Sequence, residues 1–274
     1  MANKQHQLLN AAVDVGYMLL ANGAEIYRVE ESIQRILYAY DAKNADVFAI
    51  PSCIIVSIND RDNEAITKIR RLYSRDTNFD KVEQTNDLCR RICSEKPEYA
   101  WIKSELARIE QRPAYSFAWQ LMGYALAAST FTIFFGGGIR EALCALVLGL
   151  IIRIVTKRMD KLKANPFFIN VIASGIIAIF AMGAVYLQFA ASVDKIIIGA
   201  LMALVPGIAM TNAMRDIIYG DTNSGINRIV QVFLIAAALA VGTATAWSLA
   251  ERLWGAPVSA PAVDHSVLAQ CLFA

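Results

Sequence analysis

Over the first hundred or so positions, apolar residues keep returning at the spacing of a helix face or the alternation of a strand. In HQLLNAAVDVGYMLLANGA, Leu8, Ala12, Val15 and Leu19 recur every three or four residues, which predicts an amphipathic helix. A preceding lysine and trailing small residues imitate a secretory leader, but Asp14 interrupts the apolar run and favours a folded helix. GAEIYRVEESIQRILYAYD predicts a second helix, with Ile26, Val29, Ile33, Ile36, Leu37 and Tyr40 on one stripe. ADVFAIPSCIIVSIND reads as two short β-rich runs, broken at Pro51 and ended by Asn59 and Asp60, and EAITKIRRLYS supplies a third. FDKVEQTNDLCRRICS and PEYAWIKSELARIEQRP return to helical spacing. Roughly a hundred residues of this kind can hold one small α+β core.

After about Pro113 the pattern changes to long apolar runs. A bilayer crossing takes roughly 20 such residues, and five candidate spans follow: Phe117–Phe135, Ala142–Val155, Phe167–Leu187, Ile196–Met214 and Ile229–Leu249. The second is short, and Arg153 can snorkel from its end to extend it. Composition agrees with a divided chain. The 274 residues are 56% hydrophobic and 18% charged, with mean hydropathy +0.41, and nearly all the charge precedes the boundary. The expected fold class is therefore membrane α-helical, five transmembrane helices behind an N-terminal soluble α+β domain. Residues 1–113 form the soluble domain, 114–254 the membrane domain and 255–274 a tail. Lysine and arginine concentrate before the first span, in RIVTKRMDKLK, and after the fourth span. The positive-inside rule then puts the soluble domain in the cytoplasm and the tail outside.

Within the fourth span, VPGIAMTNAMRDIIYGDTNSGINR is unlike the other apolar runs. Pro206 lacks the N–H that the Met202 carbonyl would accept from, and Gly207 permits close approach of a ligand or backbone. In lipid a freed carbonyl must be buried in protein or face a wet cavity, and broken helices build the substrate sites of many transporters. On the proline alone a packing kink, common in membrane helices, is the favoured reading. Thr211 and Arg215, like Asn212 and Asp216, lie four apart, each pair sharing one helix face. A solvated loop with a topology-anchoring arginine explains Arg215 and Asp221 but leaves Thr211, Asn212 and Pro206 as coincidence. Arg215 with Asp216 puts both charges near the cytoplasmic boundary, where an ion pair is less costly than at mid-depth. Gly220, Asp221, Ser224 and Gly225 read as a polar turn before the last span.

Several chemistries are excluded. Net charge of +2, with no basic patch interleaved with aromatics, argues against nucleic acid. The five cysteines are scattered, with Cys89 and Cys93 four apart, a spacing that suits neither a zinc ribbon nor a redox pair. The two histidines, His6 and His265, fall on opposite sides of the membrane in this topology, so neither a histidine-based triad nor a histidine metal site can assemble. FFGGGIREAL lacks the lysine of a phosphate loop. No enzyme, cofactor or metal is expected, and transport without a nucleotide site draws on a gradient.

LVPGIAMTNAMRDIIYGDTNSGINR closely resembles the signature of the threonine/serine exporter family. GAEIYRVEESIQRI and FAIPSCIIVSI resemble that family's cytoplasmic domain, and FFGGG the end of its first span, so the likeness covers roughly residues 8–250. It implies motif roles for Arg28 and Glu30 in the soluble domain. In the membrane half it implies them for Gly136, Gly137, Pro206, Gly207, Thr211, Asn212, Arg215, Asp216, Gly220, Asp221, Ser224 and Gly225. Of these, Pro206, Gly207, Thr211, Asn212, Arg215 and Asp216 are the expected substrate contacts. The rest are gating or structural positions. Taken alone, Glu25, Arg28 and Glu31 at three-residue steps fit a solvated ion-pair row, with a regulatory or gating contact to the membrane half as the alternative. Full-length members carry a second five-span block that is absent here, so the chain resembles the split form associated with succinate export. The resemblance implies a multi-pass bacterial inner-membrane exporter subunit for small carboxylates or threonine/serine-type amino acids. Its expected partner is a second five-span membrane subunit, with a homo-oligomer as the alternative. The rival function is a membrane-anchored ligand sensor whose spans only anchor it.

Overall fold

A computed structural model describes residues 2–42, 44–59, 64–73, 77–113, 115–162 and 164–254. The expected tail at 255–274 lies outside the described residues. The structure is mostly helical, with one small sheet in the N-terminal region. Its contacts group into two compact units, Met1–Ala114 with Gly207–Val230, and Tyr115–Pro206 with Gln231–Ala274.

The first unit opens with α1 (Ala2–Ala21) and α2 (Ile26–Ala39), joined by a turn in which Gly23 takes φ +96°. Gly16 of α1 sits so close to α2 that an added Cβ would lie 2.7 Å from Ile33 Cγ1. The expected α2 stripe is buried from Ile26 to Leu37, packed on Leu9, Ala12, Val15 and Leu19 of α1. Three antiparallel strands follow in chain order, β1 (Asp46–Ile50), β2 (Cys53–Asn59) and β3 (Ala65–Arg71). Ile50 pairs with Cys53 across the two-residue turn at Pro51. Ile54, Val56 and Ile58 of the central strand point into the core, as period-two alternation requires. Two helices complete this part, α3 (Phe79–Glu95), capped by Asn78 accepting from the Lys81 N–H at 3.1 Å, and α4 (Tyr99–Glu110).

The second unit contains α5 (Phe117–Phe134), α6 (Ile139–Lys161), α7 (Pro166–Tyr186) and α8 (Val193–Leu201). Its core is rich in alanine, and small residues let helix backbones meet. A Cβ on Gly149 would stand 2.7 Å from Ala125 Cα, and one on Gly199 would stand 2.6 Å from Thr132 Cα. Arg153, the expected snorkelling residue, lies within the longer α6, and Gln120 accepts two hydrogen bonds from its guanidinium.

The fourth expected span is not one helix. Apolar chain ends α8 at Leu201, and α9 begins at Gly207 and runs to Ile218. Pro206 cannot donate, and the chain tightens after α8 through Leu204 N–H to Leu201 O (2.8 Å) and Val205 N–H to Leu201 O (3.0 Å). At 1.5 Å per residue, the nine residues of α8 reach about 13 Å, less than half a bilayer core. The last helix, α10 (Thr222–Trp254), starts seven residues before the expected fifth span and supplies its residues to Val230 to the first unit and the rest to the second. Among the described residues, α7 and α10 are the two helices both long and apolar enough to cross a membrane.

Candidate functional site: a charged helical hairpin

In the first unit, α9 and the opening turns of α10 form a hairpin closed by Gly220 at φ +96°. Asp221 N–H bonds the Asp216 carbonyl at 2.8 Å and Gly220 N–H bonds the Ile217 carbonyl at 3.1 Å, the paired bonds of a Schellman ending. A left-handed φ of this kind favours glycine. Ser224 and Gly225, expected in the turn, are already helical because Asp221 occupies the N-cap position of α10. Gly225 is needed for a different reason: its Cβ would press to 2.8 Å from the Ala213 carbonyl oxygen, so the two helices could not approach as they do.

The four-residue pairs divide between faces of α9. Asn212 and Asp216 are buried, whereas Thr211 is exposed, its hydroxyl donating to the Gly207 carbonyl at 3.1 Å. Arg215 and Asp216 do not pair with each other, since consecutive residues point about 100° apart on a helix. Asp216 instead meets Arg228 of α10, Nε to Oδ2 at 2.9 Å, with both side chains almost wholly buried. Arg228 also donates to the Ala24 carbonyl at 3.3 Å.

Arg215 pairs with Glu25, 190 positions earlier in the chain. Glu25 occupies the N-cap position of α2 but makes no side-chain cap there. Its carboxylate also lies 3.4 Å from Arg28 Nε. Glu25 was not among the expected site residues, and its signal was local: a glutamate stands where Ser, Thr, Asp or Asn would ordinarily cap. Beside it, Tyr27 stacks on Tyr219 with ring centroids 4.7 Å apart. Glu30 accepts from the Ala49 N–H at 2.7 Å. Burial pushes the Glu30 carboxyl above its usual range; the Ala49 bond opposes this and the charge of Asp221 adds to it. Burial raises Asp221 as well. Arg28 and Glu30 of the N-terminal segment therefore share one unit with Arg215, Asp216, Gly220, Asp221, Ser224 and Gly225.

Over residues 10–250 the chain matches the family model ThrE, described as "Putative threonine/serine exporter". The chain belongs to this family. An exporter family implies a membrane protein rather than an enzyme. Among its relatives is "Threonine/serine exporter" of Corynebacterium glutamicum, 25% identical over 90% of this chain and 52% of that one. Another, "Probable threonine/serine exporter" of Mycobacterium tuberculosis, is 21% identical over 86% and 45%. "Probable succinate transporter subunit YjjP" of Klebsiella aerogenes is 22% identical over 92% of this chain and 96% of its own length. The chain thus spans about half the length of the first two relatives and nearly all of the third. No solved structure matches.

The remaining expected positions lie in the second unit. Gly136 takes φ +81° and ends α5, with Gly137 N–H on the Thr132 carbonyl at 2.9 Å. A Cβ on Gly137 would meet Thr132 Cγ2 at 2.7 Å, so this pair of glycines is explained by the turn itself. Nearby Glu141, which sequence reasoning passed over, is buried and accepts the Ala191 N–H at 2.8 Å. It borders a cavity of about 510 Å³ with Arg140 and Gln188. Pro206 stands at the end of this unit's first segment, after α8. Among the described residues, no group of three or more His, Cys, Asp or Glu could hold a metal ion.

Proposed function

We propose that this chain is one subunit of a secondary exporter of small carboxylates in a bacterial inner membrane. Its cargo is a threonine/serine-type amino acid or a dicarboxylate such as succinate. The observation that carries the reading is the helix interruption at Pro206, flanked by apolar α8 and by α9 with its Thr, Asn and Arg. In this reading α5, α6, α7, the interrupted α8–α9 segment and α10 are the five crossings, with the soluble domain in the cytoplasm and the C-terminus outside. Pro206, Gly207, Thr211 and Asn212 line the substrate path. Arg215 offers its planar fork to a substrate carboxylate, and its pairing with Glu25 supports the idea that this guanidinium suits such a guest. Asp216, held by Arg228, fixes the frame behind it.

An odd number of spans places a second five-span block in inverted orientation, and inverted repeats support alternating access. A partner subunit supplies that block. Exposed Ala236, Ala240 and Ala244 on α10, and Gly123 on α5 with open space about it, are surfaces for its helices. The likeness to a protein named as a subunit favours this over a ring of identical copies.

The test is efflux of preloaded, labelled threonine, serine and succinate from cells making the chain with and without a five-span partner. Transport is expected only with the partner and for a subset of the three. Robust efflux from liposomes holding the chain alone would remove the obligate partner. Asn212→Leu at normal abundance should abolish efflux, and Arg215→Lys should raise the apparent KM although the charge is kept. Unchanged kinetics in both variants would remove this segment from the substrate path.

A further inference from the structure

Between α2 and α3 the first unit holds a second cavity, of about 340 Å³, apart from the buried Asp216–Arg228 pair. Three guanidiniums, Arg28, Arg35 and Arg90, line it together with Asn86 and Tyr27, and Glu31 is the single carboxylate in the lining. Each arginine is already oriented by a neighbour on its own helix. Arg35 is 2.5 Å from Glu31, Arg90 is 3.2 Å from Asp87, and Arg28 donates to the Tyr27 hydroxyl at 3.0 Å. In each case the contact uses one nitrogen of a group that carries five N–H donors. The half-buried Asn86 amide makes no hydrogen bond among the described residues. The cavity thus presents many oriented donors and little to accept from them.

The chemistry of the guest follows. Guanidiniums match carboxylate and phosphate oxygens two at a time. Arg28 and Arg35 are seven positions apart on α2, about 10 Å along the axis, with Arg90 opposite on α3, an arrangement suited to two anionic groups rather than one. A volume near 340 Å³ lies at the small end of ligand sites. Cys89 in the lining adds no nucleophile, because burial pushes its thiol up to about 12. We propose that this cavity binds a small dianion, a dicarboxylate or a phosphate ester, and reports its presence to the hairpin. The link is Glu25, shared between Arg28 and Arg215: a guest that draws Arg28 into the cavity leaves Glu25 to Arg215 alone. This inference does not depend on the transport reading, because the cavity lies wholly on α2 and α3.

The experiment is calorimetric titration of the full chain in detergent, at low salt, with succinate, inorganic phosphate and acetate in separate arms. One dianion should bind saturably and at least about tenfold more tightly than acetate, and the arm that binds distinguishes carboxylate from phosphoryl recognition. Arg35→Gln and Arg90→Gln should each weaken that binding about tenfold, as loss of a charge-assisted hydrogen bond does. Their side chains are 68% and 69% exposed, so neither change disturbs the core. Arg215→Gln leaves Glu25 to Arg28 alone and should weaken this affinity a few-fold, because coupling through Glu25 is reciprocal. Unchanged affinity in that variant overturns the link to the hairpin. Absence of saturable dianion binding below about 10 mM, or wild-type affinity in both glutamine variants, overturns the proposal.

Discussion

The α5–α6 and α9–α10 turns use the same backbone device and treat a buried carboxylate in opposite ways. Both end a helix with a left-handed glycine, Gly136 or Gly220, and both close with the next residue's N–H on a carbonyl five back. Glu141 sits in the first turn of α6, where the helix dipole favours negative charge, and backbone N–H suffices to hold it. Asp216 sits in the last turns of α9, where the dipole opposes it, and it is matched by a buried cation, Arg228. The position of an acid relative to the helix ends thus decides whether it needs a counter-charge. One turn is held by dipoles and the other by an ion pair.

The largest expected difference comes from removing the cation. Arg228→Leu removes the buried cation that matches Asp216 and should destabilise the first unit by about 3–5 kcal/mol in denaturant unfolding in detergent. Adding Asp216→Leu should recover most of that loss. Glu141→Gln keeps an acceptor for the Ala191 N–H and should cost no more than about 1 kcal/mol. Equal damage from Arg228→Leu and Glu141→Gln would erase the distinction between the turns. The glycines test what the turns share. Gly136→Ala and Gly220→Ala should each cost about 1–2 kcal/mol, and by similar amounts, because an added Cβ meets nothing within 4 Å at either position.

The smallest effect concerns pH. The Glu30 carboxyl is raised in the folded chain, so its contribution to stability is full below the ordinary value of 4.5 and is lost as pH rises through the folded value. Glu30→Gln retains an acceptor for the Ala49 N–H and removes that loss. The melting temperature of the variant relative to the wild type should therefore rise between about pH 4 and pH 7. A flat difference would mean that Glu30 is not strained by its burial or by Asp221.

Period and turn chemistry made the N-terminal elements legible: the α2 stripe from Ile26 to Leu37 is buried as its spacing required, and Pro51 marks the β1–β2 turn. Pro206 likewise announced an interrupted helix. The partnerships of the hairpin were not legible. Arg215 and Asp216 are adjacent and opposite in charge, which suggests mutual pairing, yet helix geometry separates them and gives each a partner elsewhere. Glu25 lies 190 positions from Arg215, a distance over which no periodicity carries information. Glu141 escaped notice because its partner is a main-chain N–H, and every residue but proline has one.

The sheet has β1 and β3 at its edges; Glu30 takes an N–H of β1, whereas among the described residues no further strand pairs with β3. Unpaired strand edges template association between chains, the more so when flat and apolar. No side chain of β3 is fully buried, and its sequence AITKIRR places Lys68, Arg70 and Arg71 along the edge. Arg70 is also tied back to α1, paired with Asp14 and stacked over Tyr17 at 4.3 Å from the ring centroid. The strand is thus charged against recruitment and fastened at one point to its own helix layer. Replacing its cations with threonine would preserve strand propensity while exposing an adhesive ribbon, so the basic character of β3 guards solubility in a chain that already carries long apolar helices.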